Sequence, residues 1–195
     1  MKIICHRRNT IEELQATPTQ FGVEVDVRTY GDRLIIHHDP FQMGEDFESW
    51  LSFYSHGTLI LNVKEEGLEE RLIKLMQFRG IQDYFFLDQS FPFLRKYAAL
   101  GERRCAVRVS EFESIHTALN LAKNIDWAWV DCFTKFPLSR EGSVDLREAG
   151  LKLCAVSPEL QGRDPEIEIA QMRSLLRDTG ICIDAVCTKR PDLWE

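Results

Sequence analysis

The sequence contains no apolar run approaching the ~20 residues of a membrane-spanning helix. Its first residues, Met1-Lys2-Ile3-Ile4-Cys5-His6, turn polar too soon for a secretory leader. Basic charge is scarce: 24 Lys and Arg against 31 Asp and Glu give a formal net charge of −7. That balance argues against general binding to nucleic acid or docking on anionic lipid. It leaves room for a local basic pocket holding one phosphate. The six cysteines (Cys5, Cys105, Cys132, Cys154, Cys182, Cys187) include no CxxC pair, and most lie in apolar strand-like runs. Reduced core thiols fit that placement better than disulfides or a zinc site. A Gly-x-Ser-x-Gly nucleophile elbow is absent, and no low-complexity stretch or long linker interrupts the chain. With 44% apolar and 28% charged residues, the composition is that of a globular protein with a buried core. The expectation is one cytoplasmic domain spanning residues 1–195.

What is present is alternation. Strand-like runs cover residues 2–5, 23–27, 58–63, 84–87, 105–109, 127–130, 152–156 and 185–187. Helical segments lie between them, among them 68–78, 91–100, 114–123 and 165–178. Thr10 three residues before Glu13 makes a capping box for the first helix, and Pro165 behind Asp164 is a first-turn proline. Gly80, Gly101, Gly150 and Gly180 follow helical stretches, where a left-handed cap favours glycine. Eight strands alternating with helices indicate an α/β chain with a parallel sheet, and eight closes a (β/α)8 TIM barrel. At about 24 residues per unit the barrel is minimal in length. An open doubly wound sheet is the competing architecture, but it calls for a glycine-rich turn where this chain has His6-Arg7-Arg8-Asn9.

In the second run, Val23, Val25 and Val27 take one face, and Glu24, Asp26 and Arg28 the other. Two partly buried carboxylates two residues apart need compensation, from a divalent cation or from Arg28. An exposed strand with one wet face is the competing reading. The other strand ends repeat the pattern: His6, Asn62, Lys64, Asp88, Arg108, Asp131, Ser157, Glu159 and Thr188 all stand at or just beyond a run. Barrel active sites are assembled at the C-terminal ends of strands. Arg108, if it faces inward, needs an anionic partner and is a candidate phosphate ligand. Trp127 and Trp129 share a face and read as packing, whereas Glu159 reads as part of a surface turn. The turn Tyr30-Gly31-Asp32-Arg33 lets Leu34-Ile35-Ile36 fold back beside the second strand. It carries His37-His38-Asp39-Pro40, of which alternation turns only one histidine toward Glu24 and Asp26.

Together these residues resemble the glycerophosphodiester phosphodiesterase family, among the phosphatidylinositol phospholipase C-like barrels. The similar segments are His6-Arg7, Asn9-Thr10, Glu24-Val25-Asp26-Val27 and His38-Asp39-Pro40, with Asn62-Val63-Lys64 standing for the family's Glu-x-Lys. Thr188 and Pro191-Asp192 resemble its closing segment. The resemblance implies His6 and His38 as the acid–base pair and Glu24, Asp26 and Asn62 around a divalent metal, Mg²⁺ or Ca²⁺. It also implies Arg7 and Lys64 as phosphate ligands, with a small-molecule phosphodiester as substrate. Asn62 replaces a third carboxylate, so the site should hold metal more weakly, and Arg8 takes the usual glycine place. Two other functions remain open: a non-catalytic barrel that binds a phosphorylated small molecule, and metal-independent cleavage with Arg28 or Lys64 supplying the charge.

Overall fold

Each strand-like run becomes a strand in the computed structural model, which describes residues 1–195. The strands are β1 (Lys2–Cys5), β2 (Gly22–Tyr30), β3 (Arg33–Ile36), β4 (Glu45–Asp46) and β5 (Leu59–Val63). They continue as β6 (Tyr84–Leu87), β7 (Ala106–Val109), β8 (Trp127–Val130), β9 (Lys152–Val156) and β10 (Ala185–Thr188). The helices are α1 (Ile11–Ala16), α2 (Phe47–Leu51), α3 (Glu69–Arg79), α4 (Phe91–Ala99), α5 (Ile115–Leu121), α6 (Arg140–Glu148) and α7 (Pro165–Thr179). Thr10 forms the capping box with Glu13, and Asp164 caps α7 ahead of Pro165. Gly80 and Gly180 are left-handed caps, whereas Gly101 and Gly150 follow one residue behind the caps of α4 and α6. No helix is long and apolar enough to cross a membrane.

Eight strands pair in parallel in the order β6-β5-β2-β1-β10-β9-β8-β7. The two end strands meet at a single parallel bridge between Phe86 and Cys105, beside a bond from Phe86 N to Arg104 O of 2.8 Å. The α/β alternation and the parallel eight-stranded sheet match the sequence reading; the last border is one bridge and not a ladder. β2 runs past its neighbour β1, turns at Gly31 (φ +62°) and pairs antiparallel with β3, which pairs in turn with β4. The fold-back of residues 34–36 is thus as the turn implied.

Strand parity sorts the core into two clusters. Val23, Val25, Val27, Leu59, Leu61, Phe86, Val107 and Leu153 pack with helix residues such as Leu14, Trp50, Leu72 and Leu146. The opposite faces contribute Ile4, Ile60, Phe85, Ala106, Trp127, Cys154 and Cys187 to a second cluster. Phe85 of β6 and Trp127 of β8 stack with ring centroids 4.5 Å apart. Small Ala106 on the intervening β7 leaves room for that contact, the alternation of large and small residues that fills such sheets. Five of the six cysteines are buried and all are free, with only Cys182 exposed. The expectation of core thiols holds.

Candidate active site

The β1–α1 turn wraps around the polar face of β2. β1 stops at Cys5 and β3 joins that edge only from Val27 onward, so the β2 backbone between them has no strand there, and a buried N–H must find another partner. Asn9 supplies it: Oδ1 accepts from Asp26 N at 3.1 Å while Nδ2 donates to Asp26 Oδ2 at 2.8 Å. Arg7 N donates to Glu24 Oε2 at 2.8 Å, and Arg8 N to Glu24 O at 2.9 Å. Arg7 adopts φ +50° to do so, as Phe41 (+61°) and Asp88 (+58°) do in two other loops beyond strand C-terminal ends. Such backbone is uncommon outside glycine and gathers at functional sites. From below, Trp50 of α2 donates Nε1–H to Arg8 O at 2.9 Å. Replacing Asn9 by alanine leaves the Asp26 N–H and carboxylate short of a partner. The expected loss is about 1–3 kcal/mol of stability, read from urea unfolding.

Glu24 and Asp26 are essentially inaccessible to solvent. Asn62 Nδ2 donates to Glu24 Oε1 at 2.9 Å, and His6 Nε2 lies 3.7 Å from Glu24 Oε2. Lys64 Nζ stands 3.0 Å from Asp26 Oδ1, and Arg7 Nε 3.3 Å from Oδ2. Burial and the neighbouring Asp26 raise the pKa of Glu24. Burial acts on Asp26 in the same sense, but Lys64, Asn9 and Arg7 outweigh it and hold that carboxyl below its ordinary value. His6 is lowered to about 3, by burial first and then by Arg7 and Lys189, so its imidazole is neutral at physiological pH. His6 Nδ1 is buried without a hydrogen-bond partner. The structure therefore brings together His6, Arg7, Glu24, Asp26, Asn62 and Lys64.

His38 stands apart from this cluster. Its ring is 44% exposed, and Nδ1 pairs with Asp39 Oδ1 at 2.8 Å. No ion pair links it to Glu24 or Asp26. Arg28, a candidate charge source, instead donates Nε–H to His37 O at 3.0 Å and Nη2–H to His38 O at 3.1 Å. It fixes the histidine segment by its backbone. The bond to His38 holds the Asp39 carboxyl below its ordinary value.

Arg108 faces the mouth of the sheet and finds the anionic partners an inward arginine requires: Asp88, and Asp131 at 3.4 Å. Glu159 is more than a surface turn. Its Oε1 accepts from Thr188 Oγ1 at 2.6 Å and Lys189 N at 2.8 Å, which ties the end of β10 to the loop after β9. Trp127 and Trp129 are buried in the second core cluster. Asn9 and Asp88 are the residues to which sequence reasoning gave no role. The Asn-Thr pair was a signal for the first, and its strand-end position for the second.

A hard divalent cation needs several oxygen donors around one point. No three His, Cys, Asp or Glu side chains form a metal-holding group; beside the two carboxylates stands the Asn62 amide, bonded to Glu24 through Nδ2. Asn62 Oδ1 is buried without a hydrogen-bond partner, Asp26 Oδ1 meets the Lys64 ammonium at 3.0 Å, and every donor is a hard oxygen. That set fits one Mg²⁺ or Ca²⁺ with water filling the remaining positions. Lys64 competes for the same Asp26 oxygen.

Polar groups from six parallel strands thus converge at one end of a curled α/β sheet. No family model matches the sequence, and no curated protein matches it. In structure, the chain is similar to a glycerophosphodiester phosphodiesterase from Agrobacterium tumefaciens, with a TM-score of 0.68 at 17% identity over 99% of this chain and 97% of that one. It is also similar to a glycerophosphoryl diester phosphodiesterase from Parabacteroides distasonis, with a TM-score of 0.70 at 17% identity over 98% and 84%. A mutant tryptophan synthase α-subunit from Pyrococcus furiosus has a TM-score of 0.57 at 9% identity over 95% and 85%. The likeness is one of fold. Since proteins of different chemistry carry it, the activity must be argued from the site.

Proposed function

We propose that this chain is a phosphoric diester hydrolase acting on a glycerophosphodiester or a similar small polyol or sugar phosphodiester. In this reading the curled sheet is a minimal (β/α)8 barrel whose β6–β7 border is reduced to the Phe86–Cys105 bridge. The observation that carries the reading is the buried Glu24–Asp26 pair with His6 Nε2 at 3.7 Å from Glu24 and two cations on Asp26. A phosphodiester is anionic, so its cleavage needs positive charge on the non-bridging oxygens. Lys64 and Arg7 supply it.

Cleavage also needs a base for the nucleophile and an acid for the departing alkoxide. His6, with Nε2 3.7 Å from Glu24 and Nδ1 without a hydrogen-bond partner, takes the part of the base. His38 suits the acid: Asp39 occupies Nδ1 and orients the ring, which leaves Nε2 for the leaving oxygen. Glu24, Asp26 and Asn62 would hold a Mg²⁺ or Ca²⁺, which when bound adds charge stabilisation at the phosphoryl oxygens. The ion pairs of Lys64 and Arg7 with Asp26 favour a second reading, in which these side chains do that work without a metal. A chelator decides between the two. With purified protein and a chromogenic phosphodiester, EDTA is expected to lower turnover by at least about tenfold, and excess Mg²⁺ or Ca²⁺ to restore it. Chelator-insensitive turnover supports the second reading, and phosphate-ester binding without turnover under any metal overturns both.

A further inference from the structure

The cations available to a phosphate do not stand free. Lys64 Nζ is 3.9 Å from Asp88 Oδ2, and Arg108 Nη2 donates to Asp88 Oδ1. One carboxylate thereby presents one oxygen to each of two cations, carried on strands on either side of β6. A phosphodiester does the same: two oxygens on one atom share one negative charge, and two cations meet them. Asp88 holds this place from a left-handed backbone (φ +58°) directly after β6, and its side chain is only partly exposed.

Asp88 and Arg108 also line a cleft of about 560 Å³ between the loops after β6 and β7, with Phe91, Phe112 and Thr117 in its wall. That size lies within the range of small-molecule sites. Gln89 Oε1, on the same wall, is a buried acceptor without a partner. The cleft and the acid–base cluster are joined by the run of ion pairs Asp26–Lys64–Asp88–Arg108.

We propose that the Asp88 carboxylate is a resident stand-in for phosphate. It bridges Lys64 and Arg108 until the phosphodiester takes that place, with one ester arm in the cleft. The proposal deepens the phosphodiesterase reading and rests on it. Asp88 is then a positioning residue that competes with substrate, and removing its charge strengthens phosphate binding. A residue that merely held the two cations in place would weaken binding when removed.

The test is calorimetric titration of the whole chain with inorganic phosphate, for wild type, Asp88→Asn, and Asp88→Asn combined with Arg108→Met. Asparagine tolerates the left-handed backbone, and Asp88→Gly, which suits it better, serves if the first variant is unfolded by circular dichroism. Asp88→Asn is expected to bind phosphate about tenfold tighter, and adding Arg108→Met to return the affinity to the wild-type value or below. Unchanged or weaker phosphate binding in Asp88→Asn and Asp88→Gly overturns the proposal, as does an absence of phosphate binding in every form. Diester hydrolysis measured alongside separates the two levels of inference. Turnover by wild type without tighter phosphate binding in the variants removes the stand-in and keeps the enzyme. Tighter binding without turnover of any diester does the reverse.

Discussion

Replacing His6 by alanine is expected to lower phosphodiester turnover by about 10²–10⁴-fold, whatever the leaving group. His38→Ala is expected to do so only for substrates with a poor leaving alkoxide. The difference follows from the two environments. In the proposed reaction His6, buried against Glu24, would take the proton of the nucleophile, a step that every substrate requires. His38, partly exposed with Asp39 on Nδ1, would in that reaction meet the departing oxygen, and an activated phenolate needs no proton from it. Paired assays on a nitrophenyl diester and an alkyl diester separate the roles. Equal losses on both substrates for both variants would remove the division of labour, and unimpaired rates would remove the histidines from the reaction.

Trp50→Ala is expected to cost about 3–5 kcal/mol of stability, a fall of roughly 10 °C in the melting midpoint for a chain of this size. Trp50 is fully buried and stacks between Phe47 (ring centroids 6.1 Å) and Tyr54 (5.8 Å). It also satisfies the Arg8 carbonyl that anchors the turn around Glu24 and Asp26. Thermal unfolding followed by circular dichroism checks the magnitude. Trp50→Phe keeps most of the ring volume and loses the hydrogen bond, so its cost is expected near 1 kcal/mol. A loss as small as that in Trp50→Ala would show that the helix and the turn are independent.

Much of this arrangement is legible in the residues themselves because strand parity is a simple rule. Val23-Glu24-Val25-Asp26-Val27 reads as a two-faced strand in the sequence and packs as one. The strand-end positions of His6, Asn62, Lys64 and Arg108 follow from the same period. What the sequence could not display is pairing at a distance. Arg28 sits on the polar face of β2, yet its guanidinium is spent on two backbone carbonyls of the returning segment. Asp88 and Arg108 lie twenty positions apart, and only the sheet brings them together. Asn9 was visible as part of a familiar pair of residues. Its bidentate hold on Asp26 depends on β1 stopping short of its neighbour, a consequence of strand length and not of residue type.

The eight parallel strands share seven ladder borders, and the eighth border carries a single bridge. Backbone ladders resist local opening, and a border with one bridge offers the least resistance. The lightly stitched edge separates the first six strands, which carry both histidines and both carboxylates, from the last four. Transient parting there would widen the cleft between β6 and β7 while Glu24, Asp26 and Asn62 stayed on an unbroken ladder. The molecule thus keeps its compliance at the doorway and its rigidity at the bench.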